Sequence, residues 1–165
     1  MLKKIFIKAM RSIGVNIFFL EGHYKITIRD AVSGNIKRVY NYSNIVPTVG
    51  RTMIANNLTD TSPDNAPRIN YVALGAGVNV PANSDTQLQT ENYRNAVASQ
   101  TNSTNIAYVT GFFTSTECNG TYKEAGLFSN GTGAANSGVL VSRVAIDVTK
   151  SNTETLTIDW TLTIS

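Results

Sequence analysis

The chain has 165 residues, 42% hydrophobic and only 15% charged, with a net charge of +3; the usual charged share is about 25%. Uncharged polar residues fill the difference, 20 Thr, 18 Asn and 13 Ser. The chain is not disordered by the charge criterion; these residues are weak helix formers, with Thr favouring strands and Asn favouring turns, so the composition argues against a helical bundle and favours one all-β domain rich in turns.

The charge is uneven. Residues 1–51 hold nine Lys and Arg against two acids, whereas 52–94 and 95–165 each carry a net charge of −2. A basic N-terminal third on an acidic body suits docking to an acidic partner, or simple solvation of a β-surface.

In Met1–Gly14, Leu2, Ile5, Phe6, Ala9, Met10 and Ile13 recur at helical spacing, with Lys3, Lys4, Lys8 and Arg11 off that stripe. Lys8 and Arg11 interrupt any secretory apolar core, and Ile13–Leu20 is too short to span a bilayer. About three helical turns are marginal alone. Residues 1–20 are therefore expected to form an amphipathic basic arm for assembly. Its apolar face (Leu2, Ile5, Phe6, Met10, Ile13) would order against another copy or a neighbouring protein, and Lys4, Lys8 and Arg11 would face solvent or an acidic partner. Packing on the chain's own domain, or contact with a membrane surface, are the alternatives.

Residues 21–165 read as the β-sandwich domain. Tyr24–Arg29 alternates apolar and polar residues, Asp30–Asn35 is a turn, and Ile36–Tyr42 is a second strand. The resulting hairpin should expose Lys25, Arg29, Lys37 and Arg38. Thr48–Leu58 reads as a helix capped by Thr48, with Val49, Met53, Ile54 and Leu58 on one apolar face. Strands follow at Ile69–Leu74, Arg94–Thr101, Asn105–Thr114, Thr121–Phe128, Gly138–Val148 and Thr153–Ile164. In the last, Leu156, Ile158, Trp160, Leu162 and Ile164 share one face, which makes Trp160 a core residue. Short strands separated by turn residues predict an antiparallel β-sandwich with one short helix.

Chemistry-bearing constellations are sparse. One cysteine, Cys118, and one histidine, His23, exclude an intrachain disulfide and a Cys/His zinc cluster. His23 lies far from any Gly-x-Ser-x-Gly and reads as an exposed residue at a strand start. Gly75-Ala-Gly77 follows an apolar strand but lacks the third glycine and the helix of a dinucleotide-binding turn, so it reads as a pair of turn glycines. Glu124 sits inside a strand; if buried it must find a cation or its pKa must rise, and Arg94 and Arg143, also in strands, could pair with it in a structural ion pair, an exposed Glu being the alternative. No catalytic residue, metal or cofactor is expected, and the aromatics are not interleaved with bases as nucleic-acid stacking requires.

Five segments in order carry a resemblance: Ile69-Asn-Tyr-Val-Ala-Leu-Gly-Ala-Gly77 with Pro81-Ala-Asn-Ser-Asp-Thr86, then Thr90-Glu-Asn-Tyr-Arg94, Tyr122-Lys-Glu-Ala-Gly-Leu-Phe128, Leu140-Val-Ser-Arg143, and Asp147 to Ser165. This set, spanning about residues 24–165, resembles small virion structural proteins of tailed bacteriophages, a group of tail-fibre and head-associated β-sandwiches. The resemblance implies a non-enzymatic virion component, made in the host cytoplasm and contacting copies of itself and other virion proteins. Tail or fibre association is the first expectation and head decoration, or the base of a head fibre, the second. A carbohydrate-binding module for host surface glycans is a third, of a different class.

Overall fold

Residues 19–59 and 68–165 are described by the computed structural model, so the arm residues Leu2, Lys4, Ile5, Phe6, Lys8, Met10, Arg11 and Ile13 lie outside it. The described chain runs β1 (Leu20–Asp30), β2 (Ile36–Ser43), α1 (Thr48–Asn57), β3 (Ile69–Gly75), β4 (Glu91–Ala96), β5 (Ser99–Ser103), β6 (Ile106–Phe113), β7 (Gly120–Ser129), β8 (Val139–Lys150) and β9 (Glu154–Ile164). A five-stranded sheet has the order β2-β1-β9-β6-β5 and a four-stranded sheet the order β4-β3-β7-β8. Every pairing is antiparallel. Among the described residues the fold is the all-β sandwich with a single short helix that composition and periodicity anticipated.

The period-2 pattern decides which faces meet. Tyr24, Ile26 and Ile28 of β1 and Leu156, Ile158, Trp160 and Leu162 of β9 form the inner face of the five-stranded sheet. They pack on Val72, Leu74, Ala125, Leu127, Val144, Ile146 and Val148 of the other sheet. Trp160 is 1% exposed, and its indole N–H donates to Asn44 Oδ1 at 3.2 Å. The Tyr24 hydroxyl crosses the core to donate to Ser142 Oγ at 3.1 Å. Trp160 and Tyr24 thus each bring a polar end to a partner.

Four local expectations need correction. Arg94–Thr101 is not one strand: β4 ends at Ala96, and β5 begins at Ser99 in the other sheet. Val97 N–H bonds Asn70 O while Ala98 N–H bonds Thr110 O, so the chain changes sheets within two residues, a corner that alternation alone does not reveal. Thr48 does not cap α1. Pro47 holds the cap position with no side-chain bond, and the Thr48 N–H donates to Asn83 O at 2.9 Å. Leu58 leaves the helix's apolar face at 84% exposure, because α1 rests on β8 through Gly50 and Met53. A Cβ on Gly50 would lie 3.0 Å from Leu140 O and Val141 Cα, so that glycine sets the close approach. Arg38, finally, is only partly exposed: it turns to the Glu154 carboxylate at 2.9 Å.

Candidate functional site

Four of the five segments that carry the resemblance converge on the outer face of the four-stranded sheet; the fifth is mostly β9, at the centre of the other sheet. Bulges in the β7–β8 pairing, at Tyr122/Glu124 and Leu127/Phe128, set Glu124, Gly126, Phe128, Leu140 and Arg143 on that face. Loop 76–90 lies over it, anchored by Leu88, which is fully buried against Ala73, Phe128 and Leu140.

Glu124, 1% exposed, accepts from three backbone N–H groups of this loop: Gly77 at 3.1 Å, Gln89 at 3.0 Å and Thr90 at 2.7 Å. Arg143 Nε and Nη2 reach the same carboxylate at 3.1 and 2.8 Å, and Nη1 reaches Asp85 at 2.5 Å. Arg143 is the cation that Glu124 was expected to need; Arg94 is not. Gly75 and Gly77 are not turn glycines chosen for positive φ, which occurs instead at Gly34, Gly120 and Gly138. They leave room for Glu124: a Cβ at position 75 would lie 2.6 Å from Glu124 Oε1 and 2.5 Å from Thr90 O.

Arg94 builds a second clasp beside the first. Its guanidinium forms a bidentate pair with Glu91 at 2.5 and 2.8 Å and lies over the rings of Phe128 and Tyr71, 4.6 and 5.3 Å from their centroids. Its Nη1 donates to Thr132 O at 2.8 Å and to Ser137 Oγ at 2.9 Å, while Glu91 accepts from Asn136 N–H at 2.8 Å. Loop 130–138 is thereby tied to the same sheet face.

At the far end of β8, Lys150 is 1% exposed. Its ammonium donates to Glu117 O and Asn119 Oδ1, both at 2.8 Å, and to Ser115 O at 3.2 Å. Burial lowers its pKa, and Cys118, Glu154 and Glu117 oppose the shift. Cys118, enclosed in the loop Lys150 holds, has its thiol pushed up to about 12 by burial, which suppresses the reactive thiolate. Glu154 is drawn down to about 2: burial opposes this, but Ser151 N–H, Arg38 and the Ser151 hydroxyl outweigh it.

Among the described residues no buried side-chain N or O lacks a partner. The charged groups bind loops to strands. Sequence reading missed Asp85, Glu91 and Lys150. Lys150 was legible, because the alternation Ile146, Val148, Lys150 puts it on the inner face. Nothing local marks Asp85, which is set by a fold of the loop. His23 is exposed on β1, and its Nδ1 lies 3.4 Å from Ser43 Oγ.

The structure adds an apolar groove of about 490 Å³ between α1 and the start of β1. Phe19, Leu20, Ile45, Val46, Ile54 and Leu58 supply its walls. Arg51, Asn44 and Asn83 line it as well. Among the described residues no helix is long and apolar enough to cross a membrane. Comparison with protein-family models, with curated proteins and with solved structures finds no match for this chain.

Proposed function

We propose that the chain is a non-enzymatic structural component of a tailed bacteriophage virion, associated with the tail or its fibres and assembled through repeated protein–protein contacts. One observation carries this reading. Four of the five resemblance segments supply Gly75, Gly77, Asp85, Thr90, Glu91, Arg94, Glu124 and Arg143, and these residues meet in two adjoining clasps. They spend their chemistry on holding loops, so the shared pattern encodes a rigid scaffold. Rigid loops suit a repeated part, because binding then costs little ordering and avidity multiplies a modest contact. The Thr- and Asn-rich surface supports solubility with little self-repulsion.

The test is to raise antibodies against the folded domain and image labelled phage particles. Label at the tail or its fibres is the expected result. Label at head vertices or capsomers would select head decoration instead, and label absent from purified particles overturns the virion reading. Saturable binding to a glycan array would favour the carbohydrate-binding module.

A further inference from the structure

We propose that the cleft at one end of the four-stranded sheet, between β4, the start of β7 and loop 114–119, binds a neutral saccharide. The inference rests on the cleft alone. A cleft that takes no sugar leaves the virion reading untouched, and label absent from particles leaves the cleft untouched.

The strand register opens the cleft. β3 pairs with β7 only as far as Gly75 and Glu124, so Gly120 to Lys123 run past the last β3–β7 pair. Asn92 and Tyr93 of β4 line the gap together with Gly120 and Tyr122 of β7. The space has a volume of about 560 Å³, inside the range of about 300–1,000 Å³ usual for small-ligand sites. All of its lining residues lie in sequence well inside the described chain.

Unused hydrogen-bonding groups point to a ligand. Tyr122 is only 6% exposed, and its hydroxyl makes no hydrogen bond among the described residues. No fully buried side-chain N or O lacks a partner there, so the Tyr122 hydroxyl is an atom that surfaces, and the residue surfaces in this cleft. Burial first, then the neighbouring Cys118 and Tyr93, push that hydroxyl up to about 12, which keeps it a protonated donor at neutral pH. The half-buried Tyr93 also brings an unpartnered hydroxyl to the cleft. Asn92 uses Oδ1 to accept from Ala76 N–H at 2.9 Å, which leaves its Nδ2 as a donor.

The chemistry selects the ligand class. No lining residue is charged. The nearest cation, Lys150, is 1% exposed and donates to loop oxygens, so nothing in the cleft neutralises an anion. Tyrosine hydroxyls both donate and accept, as sugar hydroxyls do, and tyrosine rings give an apolar body for the C–H face of a pyranose. The wall is also set before a ligand arrives. Glu117 takes the Thr114 N–H and hydroxyl at 2.7 and 2.9 Å, and Asn119 Nδ2 donates to Ser115 O at 3.0 Å. Binding therefore costs little loop ordering.

The test titrates the full chain, isotope-labelled for amide spectra, with maltose, lactose and diacetylchitobiose as probes. Each is taken to about 10 mM, enough to load a site of millimolar Kd. At least one should shift the amides of Tyr93, Gly120 and Tyr122 saturably and leave the β1–β2 hairpin unshifted. Sialyllactose, the anionic counterpart of lactose, should bind no better than lactose. The double variant Tyr93→Phe/Tyr122→Phe keeps both rings and removes only the unpartnered hydroxyls. It should retain the wild-type spectrum away from the cleft and bind the sugar about tenfold more weakly or worse, the loss of two ordinary hydrogen bonds. Absence of saturable shifts with all three probes, shifts confined to another part of the molecule, tighter binding of sialyllactose, or unchanged affinity in the double variant would each overturn the proposal.

Discussion

The two sheets solve the same problem differently. The five-stranded sheet keeps one face dry and one wet: β9 alternates buried Leu156, Ile158, Trp160 and Leu162 with partly exposed Thr155, Thr157, Asp159 and Thr161. The four-stranded sheet is covered on both faces, and β7 is buried from Ala125 to Ser129 without a break. Its outer cover is loop and helix, which bring backbone N–H groups that must be satisfied away from water. Glu124, Arg143, Glu91 and Arg94 do that work. The contrast teaches that burial in this sandwich follows two chemistries, apolar contact between the sheets and charge-assisted hydrogen bonding over the second one.

The contrast sharpens into measurements. On the apolar side, Trp160→Ala should cost about 3–5 kcal/mol, read as a lower urea midpoint. On the ionic side, Glu124→Ala should cost about the same, about 3–5 kcal/mol, because it leaves Arg143 buried against a weaker partner set. It differs in kind: limited proteolysis should now cut within 76–90, which Trp160→Ala does not favour selectively. Equal protection of that loop in both variants would break the distinction. Gly75→Ala should cost about 1–3 kcal/mol by forcing a methyl group against Glu124 and Thr90.

A smaller effect belongs to pH. Glu154 titrates at about 2 in the fold against an ordinary 4.5. Its contribution is therefore complete above 4.5 and drains away as pH falls toward 2. The melting temperature should decline through that window, and Glu154→Gln should flatten the decline. Smallest of all, Thr157→Ala on the wet face should change stability by no more than about 0.5 kcal/mol; a larger loss would mean that this face is covered.

Much of the apolar chemistry was legible in the sequence, and less of the ionic. Strict alternation in 153–164 marks Trp160 directly, because a strand's side chains repeat every two residues. Glu124 stood out as a charge inside an apolar run, and Arg143 as one of two basic strand residues within reach. Choosing between Arg143 and Arg94 needed the register: Gly126 pairs with Arg143 across β7 and β8, while Arg94 sits on β4 two strands away. Asp85 and the N–H donors of Gln89 and Thr90 come from a loop with no period at all. The corner at Val97–Ala98 was hidden for a related reason: no Gly or Pro marks a break between the two halves, and only their hydrogen-bond partners show that they belong to different sheets.

The strand order also dictates a schedule of synthesis. β9, the latest of the strands in chain order, is the centre of the five-stranded sheet, joining β1 to β6. Until it emerges, β1–β2 and β5–β6 are two separate hairpins with no strand in common. The four-stranded sheet has every member once Lys150 is made, so it is ready to form first. At about 5–20 residues per second on the ribosome, the hairpins wait seconds with the edges of β1 and β6 unpaired. Such edges invite pairing with other chains. Lys25 and Arg29 on β1, with Lys37 beside them on β2, give the earlier and longer-waiting hairpin a repulsive charge during that interval.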